Sequence, residues 1–203
     1  MPGRNIYKEY VPDSYYHIYN RGINKQPVFL DDQDFVVFLG LLKRYLGNTT
    51  EKNINRISQP NYREQVELLA FCLMKNHFHL FIYQHTNLAI KDLMKSLTVA
   101  YGMYFNKRYK RVGPVFQQRY RAVRIVNDGQ LLHITRYIHM NPHIYKTYAW
   151  SSLPYYTSQR QADWIQPKRI LDLFEGDDYL DFLNEYANRR DELDALKKEL
   201  ANA

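Results

Sequence analysis

The sequence lacks the features that mark secreted, membrane-bound or disulfide-stabilised proteins. Its single cysteine, Cys72, excludes an internal disulfide and a zinc site built from cysteines. No stretch approaches the roughly 20 apolar residues that a membrane-spanning helix needs, and the first 14 residues contain no apolar run of the signal-peptide type. Internal repeats and low-complexity segments are also lacking. We therefore expect a cytoplasmic protein with one domain and appendages, or two small domains, in its 203 residues.

Positive charge is concentrated in the first part of the chain. Residues 1–167 carry 22 Lys and Arg against 11 Asp and Glu, whereas residues 168–203 carry 6 against 10. Many of the 19 tyrosines lie beside cations, as in Arg119-Tyr120-Arg121. Cations with aromatic rings favour nucleic-acid binding, because phosphates attract positive charge and single-stranded bases stack on aromatic faces. The alternative for most of these tyrosines is packing in a small core with the hydroxyl in water.

The pattern of apolar and turn residues predicts alternating strands and helices. Strands are expected at 15–20, 65–74, 77–84 and 120–126, and helices at roughly 32–46, 88–107 and 129–140. The acidic segment 31–34, Asn87 and Asn127 are expected to cap the three helices. This element order predicts an α+β fold, a ferredoxin-like sandwich with a central antiparallel sheet. The turn Lys75-Asn76 is expected to join a hairpin in the middle of that sheet.

The polar segment 47–63 predicts a loop, and residues 143–167 predict irregular structure. Residues 168–200 carry apolar residues near helical spacing and predict extra C-terminal helices. We therefore divide the chain into a domain of residues 1–155 and a helical extension of residues 156–203. The extension is expected to pack on the body or to mediate self-association.

The tripeptide His77-Phe78-His79 lies inside one of the predicted strands. On a strand, residues i and i+2 point to the same face, so both imidazoles would project from one side while Phe78 points into the core. Two imidazoles on one strand can bind a divalent metal ion. The two histidines could also be ordinary polar residues on a half-exposed strand. The tripeptide alone therefore does not decide whether a metal site is present.

The predicted helix 129–140 offers a third ligand and a nucleophile. Tyr137 and Asn141 are four residues apart, which places them on one helical face. The amide oxygen of Asn141 could complete a three-ligand site. A tyrosine, with an ordinary pKa near 10, is a poor nucleophile at neutral pH, but beside a Lewis acid that polarises a phosphate it can attack. His139 points off this face and is expected to be structural or to face DNA.

Five motifs in the same order resemble a known family. The segments Met74-Lys-Asn-His-Phe-His-Leu-Phe and Arg136-Tyr-Ile-His-Met-Asn-Pro closely resemble HUH transposases with one catalytic tyrosine, and in particular the REP-associated tyrosine transposases. The other three segments are Tyr16-His-Ile-Tyr-Asn-Arg-Gly, Gly113-Pro-Val-Phe-Gln-Gln-Arg-Tyr and Trp150-Ser-Ser. The resemblance spans about residues 15–155 and leaves residues 156–203 without a counterpart.

This resemblance implies a single-stranded DNA endonuclease and strand transferase. His77, His79 and Asn141 would hold Mg²⁺ or Mn²⁺, and Tyr137, on the helix after the last strand, would attack the DNA phosphate. The products would be a 5′-phosphotyrosine link and a 3′-hydroxyl. The substrate would be single-stranded DNA, expected to fold into a hairpin such as a REP-type element, and the protein would act as a monomer or a homodimer.

Two other functions stay open at this point: a DNA-hairpin-binding protein that has lost cleavage, and a metal-dependent phosphoesterase that uses water as the nucleophile. Tyr101, Tyr104 and Tyr109 are rival nucleophiles, but none has Asn or Gln four residues later, which favours Tyr137. The candidate DNA-binding residues, each weighed against being a solvated surface charge, are Asn20, Arg21, Lys107, Arg108, Lys110, Arg111, Arg119 and Arg121.

Overall fold

A computed structural model describes residues 10–48, 60–174 and 179–186. The strands form one antiparallel sheet in the order β2-β3-β1-β4; they are β1 (Ser14–Arg21), β2 (Val66–Met74), β3 (His77–Gln84) and β4 (Arg121–Ile125). The α-helices in these ranges are α1 (Asp32–Leu46), α2 (Ala89–Arg108), α3 (Asp128–His139), α4 (Leu153–Tyr156), α5 (Lys168–Leu171) and α6 (Tyr179–Asn184). The arrangement confirms the predicted α+β sandwich. No helix within the described ranges is long and apolar enough to cross a membrane.

Both faces of the sheet are buried, because helices cover each side. On one face, Ile18 and Leu80 belong to a core completed by α1 and α2. On the other face, Phe81 and Val123 pack with α3 residues that include Ile134. Side chains alternate between these two cores along the strands, except at a register shift in β2, where Leu69 and Ala70 both lie in the second core. The face below α3 is the one that carries the histidines of β3.

Two of the three predicted helix caps are confirmed. The side chain of Asp31 accepts a hydrogen bond from the backbone N–H of Asp34, and Asn127 accepts one from the N–H of Gln130, so each satisfies a donor in the first turn of its helix. The cap predicted at Asn87 is wrong. The N-cap of α2 is Leu88, which has φ 67° and makes no side-chain capping bond.

The predicted hairpin position needs a correction. Strand β3 is central, but its partner β2 is an outer strand. Residues 150–152 lie along the exposed side of β2: Ser152 N–H donates to the carbonyl of Phe71, and Leu73 N–H donates to the carbonyl of Trp150. The Trp-Ser-Ser motif thus pairs with backbone groups of a strand that would otherwise end the sheet.

The segment predicted as helical at 168–200 is shorter in the described residues. It contains α5 and α6, whereas residues 172–174 form turns and a bend, and residues 175–178 and 187–200 lie outside the described ranges. Ile170, Tyr179 and Leu183 are buried in the core below α3. The boundary at residue 155 stays a prediction, as does self-association. The segment predicted as irregular, 143–167, contains α4 and a 3₁₀ turn at Tyr145–Thr147.

Candidate active site

The centre of the site is a contact between histidines on two neighbouring strands. His17 on β1 and His79 on β3 point to the same face, and the Nε2 atom of His17 lies 2.9 Å from the Nδ1 atom of His79. Both side chains are buried, and desolvation lowers the pKa of His17 to about 3. His17 was not singled out from the sequence. No signal in the sequence alone indicated it, because its closeness to His79 depends on the register of β1 against β3, in which Tyr19 pairs with His79.

Tyr137 reaches this pair from the helix above the sheet. Ile134 and Ile138 of α3 are buried against the sheet, and Tyr137 lies beside them in the same core. Its hydroxyl lies 3.5 Å from Nε2 of His79, and its ring stands edge-on to the His79 ring, with the centroids 5.2 Å apart. The side chain of Tyr137 is 7% exposed. The structure therefore brings the predicted nucleophile and one predicted metal ligand together.

His77 lies at the beginning of β3 and is half-buried. Its Nδ1 atom lies 2.7 Å from the side-chain oxygen of Asn76, and the Asn76 amide nitrogen donates in turn to the carbonyl of Lys25 at 3.1 Å. The rings of His77 and His79 are perpendicular, with centroids 5.0 Å apart. Both imidazoles thus lie on one side of the strand, as the alternation of strand side chains requires.

The spacing of the two rings fits the binding of a single ion. Two imidazoles that bind one ion through nitrogen atoms at roughly 2.1 Å have ring centroids about 5 Å apart. Within residues 10–48, 60–174 and 179–186, no group of three or more His, Cys, Asp or Glu is placed to hold a metal. A third protein ligand from the described residues would therefore have to be an oxygen donor other than a carboxylate, such as an amide.

Asn141 was predicted to supply that amide. It is half-buried and lies two residues beyond the end of α3, after the C-cap Met140. Its N–H approaches the carbonyl of Ile138, three residues earlier, so the chain tightens there and no longer follows α-helical spacing. Regular helical spacing therefore ends before Asn141 and does not by itself place Asn141 on the face of Tyr137. The role of Asn141 as a ligand stays a prediction.

His139 is built into the core. Its Nδ1 atom lies 2.6 Å from the hydroxyl of Tyr179, and its Nε2 atom lies 2.6 Å from Oγ of Ser152. Burial lowers the pKa of His139 to about 3. Because the Ser152 hydroxyl donates to the carbonyl of Phe71, His139 donates from Nε2 and accepts at Nδ1. This neutral ring joins α3, the loop before α4 and α6.

The three rival tyrosines have partners in another part of the fold. The hydroxyl of the buried Tyr101 donates to the carbonyl of Val28. Those of Tyr104 and Tyr109 donate to the carboxylate of Asp34, each at 2.8 Å. Burial raises the pKa of all three hydroxyls, and the nearby Asp34 carboxylate raises it further. The pKa of Tyr109 rises to about 12. These contacts favour structural roles for all three.

The candidate DNA-binding residues differ in exposure and in the contacts that they make. Six are exposed: Arg21, Lys107, Arg108, Lys110, Arg119 and Arg121. Arg108 forms ion pairs with Asp31 and Asp34, and the guanidinium of Arg111 lies over the ring of Phe105. Asn20 is buried, and its amide donates to the carbonyl of Gln118. As DNA contacts, all eight stay predictions.

The loop after α2, which contains Lys110 and Arg111, runs to the end of the sheet where His77 lies. Gln117 N–H donates to the carbonyl of Arg21, and Arg21 pairs with His77 across the strands. The fold therefore places exposed cations at the end of the sheet where the histidines lie.

Gly22 follows Arg21 at the same end of β1. An added Cβ at this position would lie 2.1 Å from the carbonyl oxygen of Gln26, which explains the glycine in the Asn-Arg-Gly motif.

A ferredoxin-like sheet with paired histidines below a helical tyrosine agrees with the transposase class that the motifs resemble. The family model described as "Transposase IS200 like" matches residues 11–141. The chain belongs to this family.

Comparison with one solved structure supports the same fold, and a second match is weaker. The structure of a REP-associated tyrosine transposase bound to a REP hairpin has a TM-score of 0.50 and 16% sequence identity, and the match covers 79% of this chain and 90% of the other. A candidate transposase from Deinococcus radiodurans R1 matches with a TM-score of 0.41 and 18% identity, over 65% of this chain and 93% of the other. The comparison with curated proteins gave no match.

Proposed function

We propose that the protein is a metal-dependent, single-stranded DNA endonuclease and strand transferase that cleaves through a 5′-phosphotyrosine intermediate. The observation that carries this proposal is the 3.5 Å separation between the Tyr137 hydroxyl and Nε2 of His79, on two elements 58 residues apart in sequence. Binding of DNA alone requires no such contact. Membership of the IS200-like transposase family supports a reaction on DNA.

In the proposed reaction, Tyr137 forms a bond from its phenol oxygen to phosphorus while the bond from phosphorus to the 3′-oxygen breaks. The leaving oxygen takes up a proton and becomes a 3′-hydroxyl, and the phenol proton passes to solvent. The edge-on rings of His79 and His17 limit the orientations of the phenol and so hold it ready for attack. One phosphate ester replaces another, so the strand can later be rejoined or transferred.

The residues proposed to hold Mg²⁺ or Mn²⁺ are His77, His79 and Asn141. When bound, the ion would supply Lewis acidity and draw electron density from the phosphate. The burial of His79 limits water around the site, and electrostatic interactions are stronger where water is excluded.

We propose hairpin DNA as the substrate, on two grounds. The REP-associated tyrosine transposase with the same fold was solved with a REP hairpin. In this chain, residues 1–167 carry an excess of cations. The exposed Arg21 pairs with His77 across the strands, and the exposed Arg121 pairs with Tyr19, the residue that pairs with His79, so both cations lie near the histidines. Contacts of these cations with phosphates predict binding that weakens as salt is added.

The test is incubation of the protein with a panel of single-stranded hairpin DNAs and Mn²⁺, followed by denaturing electrophoresis. We expect a covalent protein–DNA adduct that is lost in Tyr137→Phe and in His77→Ala. Tyr109→Phe is the matched control, because it also removes a phenol hydroxyl but at a residue bonded to Asp34, and it should retain the adduct. Cleavage that persists in Tyr137→Phe without an adduct would indicate a water nucleophile. Hairpin binding with no cleavage under any condition would indicate a binding protein.

A further inference from the structure

Each of the two histidines proposed as metal ligands has its Nδ1 atom engaged by a neighbouring side chain. For His77 the neighbour is Asn76, whose side-chain oxygen lies 2.7 Å away. The Asn76 amide nitrogen donates to the carbonyl of Lys25, and this bond fixes which end of the amide faces the imidazole. An oxygen in that position accepts a hydrogen bond only, so Nδ1 of His77 must carry the proton.

For His79 the neighbour is His17, whose Nε2 atom lies 2.9 Å from Nδ1. The two rings are nearly parallel, at 16°, with centroids 5.1 Å apart. His17 is 2% exposed, and its own Nδ1 atom has no hydrogen-bond partner in the part of the chain that the structure describes. Within the described residues, the His17 ring thus makes its hydrogen bond through Nε2, to His79.

The contact with Asn76 leaves Nε2 as the nitrogen of His77 that can bind a metal, and the contact with His17 occupies Nδ1 of His79 and leaves Nε2 of that ring. A neutral imidazole has one N–H and one lone pair, so a ring protonated at Nδ1 presents its lone pair at Nε2. The Nε2 atom of His79 is the one that faces Tyr137, at 3.5 Å from the hydroxyl. Hydrogen bonding at the second nitrogen of a metal-binding histidine fixes the tautomer and the orientation of the ring.

We propose that Asn76 and His17 are positioning residues that hold His77 and His79 as Nε2 ligands of the metal. This inference rests on the proposed metal site and assigns the groups behind it. When an ion takes the lone pair of Nε2 of His79, Nδ1 of that ring carries the proton and donates to Nε2 of His17. The metal site then extends to strand β1, although the proposed ligands come from β3 and from the residues after α3.

The first test is titration of the full chain with Mn²⁺ by isothermal calorimetry. His17→Leu and Asn76→Ala remove the two acceptors and should each weaken Mn²⁺ binding about 10- to 100-fold. His17→Gln places an amide oxygen near the position of Nε2 and should recover most of the affinity. His85→Gln is the matched control, since His85 contacts Glu67 at the opposite end of β3 and should bind as the wild type does.

A second test reads the tautomers directly. In ¹⁵N-histidine spectra of the Mg²⁺-bound wild-type protein, we expect the proton on Nδ1 of both His77 and His79. This measurement needs no variant, so it decides the question even if His17→Leu does not fold.

The outcomes separate the two levels of the argument. Wild-type affinity in folded His17→Leu, or protons on Nε2 in the spectra, would overturn the role of His17 while leaving the metal site in place. Wild-type affinity in Asn76→Ala would do the same for Asn76. No Mn²⁺ binding by the wild type, or binding unchanged in His77→Ala and His79→Ala, would overturn the metal site itself, and this inference with it.

Discussion

Removal of the Phe182 ring should loosen α6 from the helix that carries Tyr137. The guanidinium of Arg136, the residue before Tyr137, is buried between two rings: it lies 3.5 Å from the centroid of Phe182 and 3.7 Å from that of Tyr186. The same guanidinium donates to the carbonyl of Phe182 at 2.8 Å. In Phe182→Ala one face of a buried cation loses its cover, while the backbone hydrogen bond can remain.

The magnitude follows from the contacts that are lost. A half-buried phenylalanine ring contributes roughly 1–1.5 kcal/mol through burial. A desolvated cation–π contact adds about 1–2 kcal/mol. The ring contact with Phe174, at 5.0 Å between centroids, contributes about 0.5 kcal/mol. We therefore expect α6 docking to weaken by roughly 2–4 kcal/mol, which corresponds to about 30- to 1000-fold faster exchange of the protected α6 amides.

Hydrogen–deuterium exchange measured by mass spectrometry would check this value on peptides that cover α6 and α3. Leu173→Ala is the matched control, because Leu173 is exposed in the neighbouring turn and should change stability by less than about 0.5 kcal/mol. An exchange rate in α6 that rises less than about fivefold in Phe182→Ala would refute the idea that the sandwiched guanidinium holds α6 in place.

Two further substitutions test the electrostatics of the fold. Asp34→Asn should lower the free energy of unfolding, measured with urea, by about 3–5 kcal/mol, because the fully buried carboxylate accepts hydrogen bonds from two tyrosine hydroxyls and an arginine. Asp32→Asn, at an exposed carboxylate, is the control and should have little effect. A loss below about 1 kcal/mol in Asp34→Asn would contradict this reasoning. Glu67→Gln should cost about 1–3 kcal/mol at pH 7, because Glu67 accepts two hydrogen bonds from Arg169. These bonds hold the pKa of Glu67 below its ordinary value in the folded state, so their contribution is present above the unfolded pKa and is lost as pH falls through the folded one. The difference in unfolding free energy between wild type and Glu67→Gln should therefore shrink in urea titrations below about pH 4.5. A difference that stays constant down to about pH 3 would show that the ionised carboxylate is not its source. Glu64→Gln, whose side chain is 94% exposed, is the control.

Local signals predicted most of the fold. The caps at Asp31 and Asn127 were readable because a side-chain oxygen before an apolar-periodic segment satisfies the first free N–H groups. The cap of α2 was missed, although its start was predicted to within one residue, because Leu88 adopts a left-handed conformation that its side chain does not signal. The outer position of β2 was missed because strand order depends on contacts between distant residues, not on the apolar run itself.

The same reason explains why His17 was not predicted as part of the site. Alternation along β1 could place His17 and Tyr19 on one face, but it could not say which strand lies beside them. The register supplies that information: Tyr19 pairs with His79, which makes His17 the diagonal neighbour of His79. The candidate ligands on β3 could be found from one tripeptide, whereas their supporting residue needed the sheet.

The direction in which Tyr137 points was partly readable, and its distance from His79 was not. Leu131, Ile134 and Ile138 form a buried stripe at helical spacing, so a tyrosine beside that stripe should face the sheet. The rotation of α3 about its axis, which sets the distance from Tyr137 to His79, could not be read from this stripe. Its last turn is held by Arg136 and His139, which contact Phe182, Tyr179 and Ser152. These partners all follow residue 141, where the match to the family model ends. Of these partners, Ser152 belongs to the Trp-Ser-Ser motif of the resemblance, whereas Tyr179 and Phe182 lie beyond residue 155, where the resemblance ends. The orientation of the proposed nucleophile therefore depends partly on residues to which the resemblance gives no counterpart, and contacts there can change the geometry of the site without altering any of its motifs.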